Sequence, residues 1–277
     1  MQRAVFLDRD GTLVDNDADL GDAAVVHLLP GVADGCALLR RSGWTLVIVT
    51  NQGGVARGAY DEAAVDRVHA EIESQLCKAT GLDQVIAGAY HCPFHPEGRI
   101  ERYRREHPWR KPQPGMLLAA ARDLDLDLSR SWMVGDAERD ALAGRAAGVR
   151  TILLDDDPAA VRAETAADFV DRTLLDAARR IDAAQRADLR PRSTVRLRAK
   201  NEHALIDPAL RERVVAAARA IAERTGVEIE HLAATPSAIE ATLVGDEIVA
   251  LGFAAELRRS TEAWFRGRSG HTLWGDA

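Results

Sequence analysis

Cysteine is scarce: Cys36, Cys77 and Cys92 are the only three in 277 residues. An odd, scattered set argues against a disulfide framework and points to a reducing, cytoplasmic setting. Long apolar runs are missing too, and no stretch approaches the length of a membrane span. The start, Met-Gln-Arg-Ala-Val-Phe, leads straight into a strand pattern, so no secretory leader is expected. There is no basic excess, since the net charge is −7. Residues 1–185 carry 22 basic and 30 acidic side chains, and residues 186–277 carry 14 and 13. An acidic first part argues against a nucleic-acid backbone as the main partner. Internal repeats and low-complexity tracts are absent as well. What is present, an apolar fraction of 47 %, suffices for a core, and the length allows one large or two ordinary domains.

Strand and helix patterns alternate through the first two thirds of the chain. Ala4 to Leu7 read as a short strand buried on both faces. An irregular acidic loop follows over 13–30 (Asp15, Asn16, Asp17, Asp19, Asp22), too short for a separate cap domain. Pro30-Gly31 opens a helix closed by Gly43. Leu46 to Thr50 form a second buried strand, and Val65, Val68, Ile72 and Leu76 mark a long helix ending at Gly81. Val85 to Tyr90 look like a third strand, and residues 91–113 a charged loop. Pro114-Gly115 begins another helix, Trp132 to Val134 a strand that stops at Gly135-Asp136. Val149 to Leu154 and Asp168 to Val170 add strands, and a helix from about Leu174 closes the unit. This alternation implies a Rossmann-like parallel sheet with helices on both faces, residues 1–185.

Arginines and Pro191 across 186–193 read as a linker. From residue 194 the pattern changes. Arg196, Arg198 and Lys200 alternate with Val195, Leu197 and Ala199, a strand with one basic, wet face. Asp207-Pro208 caps a helix ended by Gly226. Three strands are expected over about 227–234, 238–244 and 247–252, the last two joined by a hairpin turn at Gly245-Asp246. A final helix bears Leu257, Trp264 and Phe265, and Trp264, Phe265 and Trp274 are either core or a dimer contact. The order β-α-β-β-β-α suggests a small α+β domain, residues 194–277.

The first strand breaks abruptly into Asp8-Arg9-Asp10-Gly11-Thr12. Residues two apart on a strand share a face, so Asp8 and Asp10 are expected to serve one small volume. An EF-hand calcium loop would need further ligands and a later Glu at fixed spacing. Two other strands end in polar residues, Thr50/Asn51 and Asp136, and parallel strands bring such ends to one sheet edge. Lys111 lies between them in sequence, just before a helix, and Asp140 follows Asp136.

Asp-x-Asp, Thr, Lys and Gly-Asp with a further acid, in that order, resemble the four-motif set of the haloacid dehalogenase-type phosphatases over residues 1–185. The resemblance implies a dehalogenase-like fold without a large cap. It implies Mg²⁺ held by Asp8, the Asp10 backbone carbonyl and Asp136, with Asp140 behind them. Asp8 is then the nucleophile that forms an aspartyl phosphate, and Asp10 the general acid and later base, which needs a raised pKa. Thr50, the backbone amides at Asn51 and Gln52, and Lys111 hold the phosphoryl oxygens. The chemistry suits these residue types, because a phosphomonoester dianion repels an attacking anion unless a hard cation offsets the charge.

Residues 7–12, 50–58, 92–96 and 110–116 resemble one branch, the D-glycero-D-manno-heptose 1,7-bisphosphate 7-phosphatases and the related histidinol-phosphate phosphatases. There Asn51, Gly53, Gly54, Arg57 and Arg110 correspond to positions that grip the rest of the substrate. Arginine offers a planar fork for a second phosphate, and glycines admit close backbone approach. The alternative for Arg57 and Arg110 is a surface ion pair with the acidic loop. The branch usually binds a structural zinc through Cys-x-His and Cys-x-Cys. Here Cys92 remains, but Phe94 replaces the His, and His107 and Trp109 the two Cys. No structural zinc is therefore expected, and Phe94 and Trp109 are read as ordering the loop by packing. A makeshift set of His91, Cys92, His95 and His107 stays open.

The expectation is a Mg²⁺-dependent phosphatase of a small phosphorylated sugar, with no membrane or nucleic-acid partner. Histidinol phosphate is the alternative substrate. A polynucleotide 3′-phosphatase is disfavoured by the acidic first part, and a phosphomutase by the lack of a cap. From another class, a non-catalytic phosphosugar-sensing regulator is the competing reading, against which the intact Asp8, Asp10, Lys111 and Asp136 speak.

Overall fold

Alternating side chains of the first strand face opposite ways, and both faces are covered. We analysed a computed structural model that describes residues 1–15, 19–162, 164–200 and 204–275. Asn16 and Asp17 of the acidic loop lie outside the described residues. The chain divides into two compact units, Met1–Gln185 and Arg186–Ala277.

The first unit runs β1 (Ala4–Leu7), α1 (Val32–Arg41), β2 (Thr45–Asn51), α2 (Gly53–Arg57), α3 (Glu62–Thr80), β3 (Ile86–Cys92), α4 (Gly115–Asp123) and β4 (Trp132–Gly135). It continues with α5 (Glu138–Ala147), β5 (Arg150–Leu154), α6 (Pro158–Val161), β6 (Phe169–Asp171) and α7 (Leu174–Asp188). Six strands form one sheet in the order β3-β2-β1-β4-β5-β6, with every pairing parallel. The expected α/β architecture is the observed one.

Period two decides the layers. Val5, Leu7, Leu46, Ile48, Trp132 and Val134 point into one core, against Val32, Cys36 and Leu39 of α1, Val68, Ile72 and Leu76 of α3, and Leu174 to Ile181 of α7. Ala4, Phe6, Val47, Val49 and Met133 point into the other, against Met116, Leu117 and Ala120 of α4 and Ala143 of α5. Each fully buried large apolar side chain stabilises the fold by roughly 1.5–3 kcal/mol. Helix ends follow local chemistry. Asp61 caps α3 by accepting from the Ala64 N–H at 2.8 Å, and Gly81 ends it in the left-handed region.

The second unit contains β7 (Arg192–Arg198), α8 (Pro208–Thr225), β8 (Glu228–Ala234), β9 (Ala238–Val244) and α9 (Glu247–Ser269). Its antiparallel sheet has the order β7-β9-β8. Two expectations are corrected. Residues 247–252 are the start of α9 and not a third consecutive strand, and Gly245-Asp246 is a helix start and not a hairpin turn. Asp246 accepts from the Val249 N–H at 3.0 Å, and Ala250, Phe253, Ala254 and Leu257 bury one helical face while Ile248 and Leu251 stay exposed. The β-branched pair Ile248-Val249 suggests strand locally, but helical spacing buries more apolar surface. The linker is also shorter than 186–193, because α7 runs on to Asp188 and β7 begins at Arg192. Alanine and charged residues suit an exposed helix end, and Pro191 is what stops it.

Trp274 is buried here, its indole N–H donating to Thr261 Oγ1 at 2.8 Å, and Trp264 and Phe265 pack against the same core. The exposed face of β7 is partly neutralised: Arg192 Nε lies 2.8 Å from Glu230, and Arg196 is in register with Glu240. Among the described residues no helix is long and apolar enough to cross a membrane.

The fully buried side chains of α7 lie at or before Ile181, and Ala184 is the last that packs against this core. A chain truncated after Asp188 should therefore fold, with a thermal midpoint within about 4 °C of the corresponding full-length transition, the shift made by ~1 kcal/mol at this size. Aggregation of that product, or a non-cooperative melt by circular dichroism, would contradict this.

Candidate active site

Strand order gathers the polar strand ends. β1 lies between β2 and β4, so Asp8, Thr50/Asn51 and Asp136 leave three adjacent strands at the same sheet edge. The Asp8 carboxylate accepts the Arg9 N–H at 2.7 Å and is almost fully buried.

Lys111 closes the group from the other side. Its ammonium lies 2.9 Å from Asp8 Oδ1 and 2.6 Å from Asp140 Oδ1, and donates to the Val49 carbonyl at 2.8 Å. The ammonium is thus buried within contact of two carboxylates and one carbonyl. Burial works against the Lys111 ammonium, but Asp140 and Asp8 outweigh it and hold its pKa above the ordinary lysine value. Asn51 keeps Lys111 there: its amide accepts from the Lys111 N–H and donates to the Lys111 carbonyl, both at 3.0 Å. Asn51 therefore positions the lysine through its side chain.

One oxygen each from Asp8, Asp136 and Asp140 lies within 4.8 Å of the others. Asp140, the third residue of α5, also accepts from the Ala137 N–H at 3.1 Å. Burial, reinforced by the Asp8 charge, raises the Asp136 carboxyl pKa. Burial raises that of Asp140 as well, with Lys111 opposing and Asp8 adding. Three crowded carboxylates and one ammonium leave negative charge unmatched, a hard-oxygen set that fits Mg²⁺. Two glycines make room: a Cβ on Gly11 (φ +73°) would lie 2.2 Å from Asp136 Oδ2, and one on Gly135 2.5 Å from the Asp140 carboxylate.

Asp10 is turned another way. Its carboxylate receives Arg9 Nε at 2.9 Å and Nη2 at 3.1 Å, and Gln52 Nε2 at 2.7 Å. The same Gln52 amide reaches Thr50 Oγ1 at 2.9 Å. Gln52 Oε1 receives Arg9 Nη2 at 2.8 Å and the Tyr60 hydroxyl at 2.7 Å. One expectation is corrected here: the Gln52 backbone amide donates to the Cys92 carbonyl at 2.8 Å, and it is the buried side chain that serves the site. Two further residues join the site, the fully buried Arg9 and the half-buried Tyr60. A charge inside an apolar strand end was the available signal for Arg9; Tyr60 gave none.

Gly54 is small for Tyr60, since an added Cβ would lie 2.4 Å from the ring. Gly53 lies beside Arg57 Nη1 and the His95 ring, 3.0 and 3.3 Å from the same virtual atom. Arg57 forks onto Asp19 of the acidic loop, with Nε to Oδ2 at 3.1 Å, so the ion pair is what this structure holds. Arg110 is half-buried and donates to the Phe94 carbonyl at 3.3 Å. Burial, then Arg110 and Arg57, push the His95 pKa down.

In the loop, Phe94 stacks on His107 with ring centroids 4.2 Å apart, and Arg105 lies over Phe94 at 4.3 Å. His107 Nδ1 accepts from the Trp109 N–H at 3.1 Å. Among the described residues, neither cluster of metal-competent side chains includes Cys92, His95 or His107.

The HAD-hydrolase-like family model matches residues 108–177. The D-glycero-beta-D-manno-heptose-1,7-bisphosphate 7-phosphatase of Salmonella typhi is 39% identical over 175 residues, covering 62% of this chain and 92% of that protein. The chain belongs to the HAD-like phosphatases. The D-glycero-alpha-D-manno-heptose-1,7-bisphosphate 7-phosphatase of Burkholderia mallei is 41% identical over 174 residues, 63% of this chain and 90% of that protein. The D,D-heptose 1,7-bisphosphate phosphatase of B. bronchiseptica, solved with magnesium and phosphate, superposes with a TM-score of 0.57 at 29% identity, covering 66% of this chain and 99% of that one. In this phosphatase, Asp8, Thr50 and Asp136 end three adjacent strands, and Lys111 reaches Asp8.

Lys111→Met removes the one ammonium between two buried carboxylates. In Mg²⁺-free urea unfolding it should cost about 3–5 kcal/mol, part of which added Mg²⁺ restores. A loss below about 1 kcal/mol would show that the carboxylates do not depend on the lysine.

Proposed function

We propose that this phosphatase removes the 7-phosphate of D-glycero-D-manno-heptose 1,7-bisphosphate with Mg²⁺ and an aspartyl-phosphate intermediate. The observation that carries the reading is the buried pair Asp8 and Asp140 clamped by Lys111, with the exposed Asp136 carboxylate converging on them. Asp8, Asp136 and the Asp10 backbone carbonyl would hold the ion, with Asp140 in support. Mg²⁺ supplies charge neutralisation of the phosphoryl group and of the attacking carboxylate.

Asp8 attacks phosphorus in line, forming the Asp8 O–P bond as the ester P–O bond breaks. Asp10 gives a proton to the leaving sugar oxygen, which requires its carboxyl to leave the clamp of Arg9 and Gln52. Asp10 then takes a proton from water as that water attacks phosphorus. The Asp8 O–P bond breaks, phosphate departs, and Asp8 is regenerated. Lys111 and Thr50 hold the equatorial oxygens throughout.

The Arg57 and Arg110 guanidinium groups around His95, with Arg57 exchanging Asp19 for the ligand, support a substrate with a second anionic group. The Salmonella and Burkholderia relatives are named for opposite anomers, so both are carried into the test. The decisive measurement is phosphate release from both heptose bisphosphate anomers, heptose 7-phosphate, histidinol phosphate and an aryl phosphate. Asp8→Asn should reduce kcat on each accepted substrate to below about one thousandth. Equal rates for wild type and Asp8→Asn would sink the enzymatic reading. Arg110→Ala should lower kcat/KM for the preferred bisphosphate about 10–100-fold and barely change that for heptose 7-phosphate. Uniform losses would place Arg110 outside second-phosphate recognition.

A further inference from the structure

A second cluster of metal-competent side chains lies between α3 and β3. Asp66 and His69 are three residues apart on α3 and share a helix face. His91 is on β3, in register with Thr50 of β2. One ligand atom from each of the three lies within 4.8 Å of the others, and the two imidazole centroids are 6.0 Å apart. His69 Nε2 is buried without a hydrogen-bond partner. Leaving a buried acceptor unmet costs about 1–3 kcal/mol, so this imidazole calls for an explanation.

The neighbours are arranged as metal ligands usually find them. His91 Nε2 lies 3.3 Å from Glu62 Oε2, and Glu62 in turn accepts from the Tyr103 hydroxyl. A carboxylate on one ring nitrogen fixes an imidazole and raises its basicity toward a metal at the other. Burial, with Arg9 and His91 adding, drives the His69 pKa down to about 3, so the ring is neutral and ready to donate. Arg9 opposes a cation here, but its charge is already paired with Asp10 at 2.9 Å, and Asp66 and Glu62 bring two carboxylates.

We propose that Asp66, His69 and His91 bind one divalent transition ion, of the zinc or cobalt class, with Glu62 orienting the His91 ring. Two imidazoles and one carboxylate select such ions over Mg²⁺, which prefers oxygen-only sets such as the carboxylates beside Lys111. Tetrahedral ligation by three side chains leaves a fourth position for water. The ion draws the three ligand atoms closer and ties α3 to β3, and through Glu62 and Tyr103 to the loop beyond residue 92. Of the makeshift set His91, Cys92, His95 and His107, the site uses His91 alone.

The test is titration of the full chain with Co²⁺ after chelator treatment, in millimolar Mg²⁺, read by visible d–d absorption. One equivalent should bind with a nitrogen–oxygen tetrahedral spectrum. Asp66→Asn, at an exposed position, and His91→Gln should each abolish that spectrum while the thermal melt without cobalt stays cooperative; His69→Gln repeats the test should either variant unfold. Glu62→Gln should weaken binding about 10–100-fold, and Asp136→Asn should leave it intact. No bound cobalt in the wild type, binding that survives both Asp66→Asn and His91→Gln, or binding lost instead in Asp136→Asn or Cys92→Ser would overturn the proposal.

Discussion

One ammonium group holds the catalytic edge together. Lys111 is buried among Asp8, Asp140 and the Val49 carbonyl, and each carboxylate would be costly there without it. Everything around the lysine serves its placement. The reciprocal Asn51 bonds fasten its backbone to the end of β2, and the strand order sets β1 between β2 and β4. Gly11 and Gly135 admit the Asp136 and Asp140 carboxylates where any side chain would collide. The single ammonium does not balance the three carboxylates, and that imbalance is the physical case for a hard dication.

Around this centre lies a neutralising layer built from Arg9, Asp10, Gln52 and Tyr60. It holds the proposed acid–base residue by a fork and an amide, linking it through Gln52 to Thr50. With its carboxylate tied up by Arg9 and Gln52, Asp10 is held away from the oxygen cluster, and the proposed proton exchange requires its release. Further out, Arg57 and Arg110 flank a neutral His95 near the Gly53 backbone, and Arg57 is held by Asp19.

The two metal-competent clusters divide by ligand chemistry. Oxygen donors converge at the edge beside Lys111, and imidazoles with a carboxylate converge between α3 and β3. The loop that follows β3 is packed by aromatic contacts, with Phe94 between His107, Tyr103 and Arg105.

Period-two and period-3.6 patterns, with glycine and proline at their ends, were enough to derive the parallel sheet of the first unit and the edge where Asp8, Thr50 and Asp136 meet. Those features depend on local sterics and on which side chains avoid water, and both are written residue by residue. Tertiary structure alone decided what each polar group touches. Arg57 meets Asp19, the Gln52 amide N–H meets Cys92 while its side chain meets Asp10, and Tyr60 fills the space left by Gly54. The same holds for residues 247–252, whose strand-like Ile248-Val249 yields to a helical face that buries Phe253 and Leu257. Local propensity there is worth tenths of a kcal/mol, whereas burying one large apolar side chain is worth roughly 1.5–3 kcal/mol, and partners distant in sequence settle the outcome.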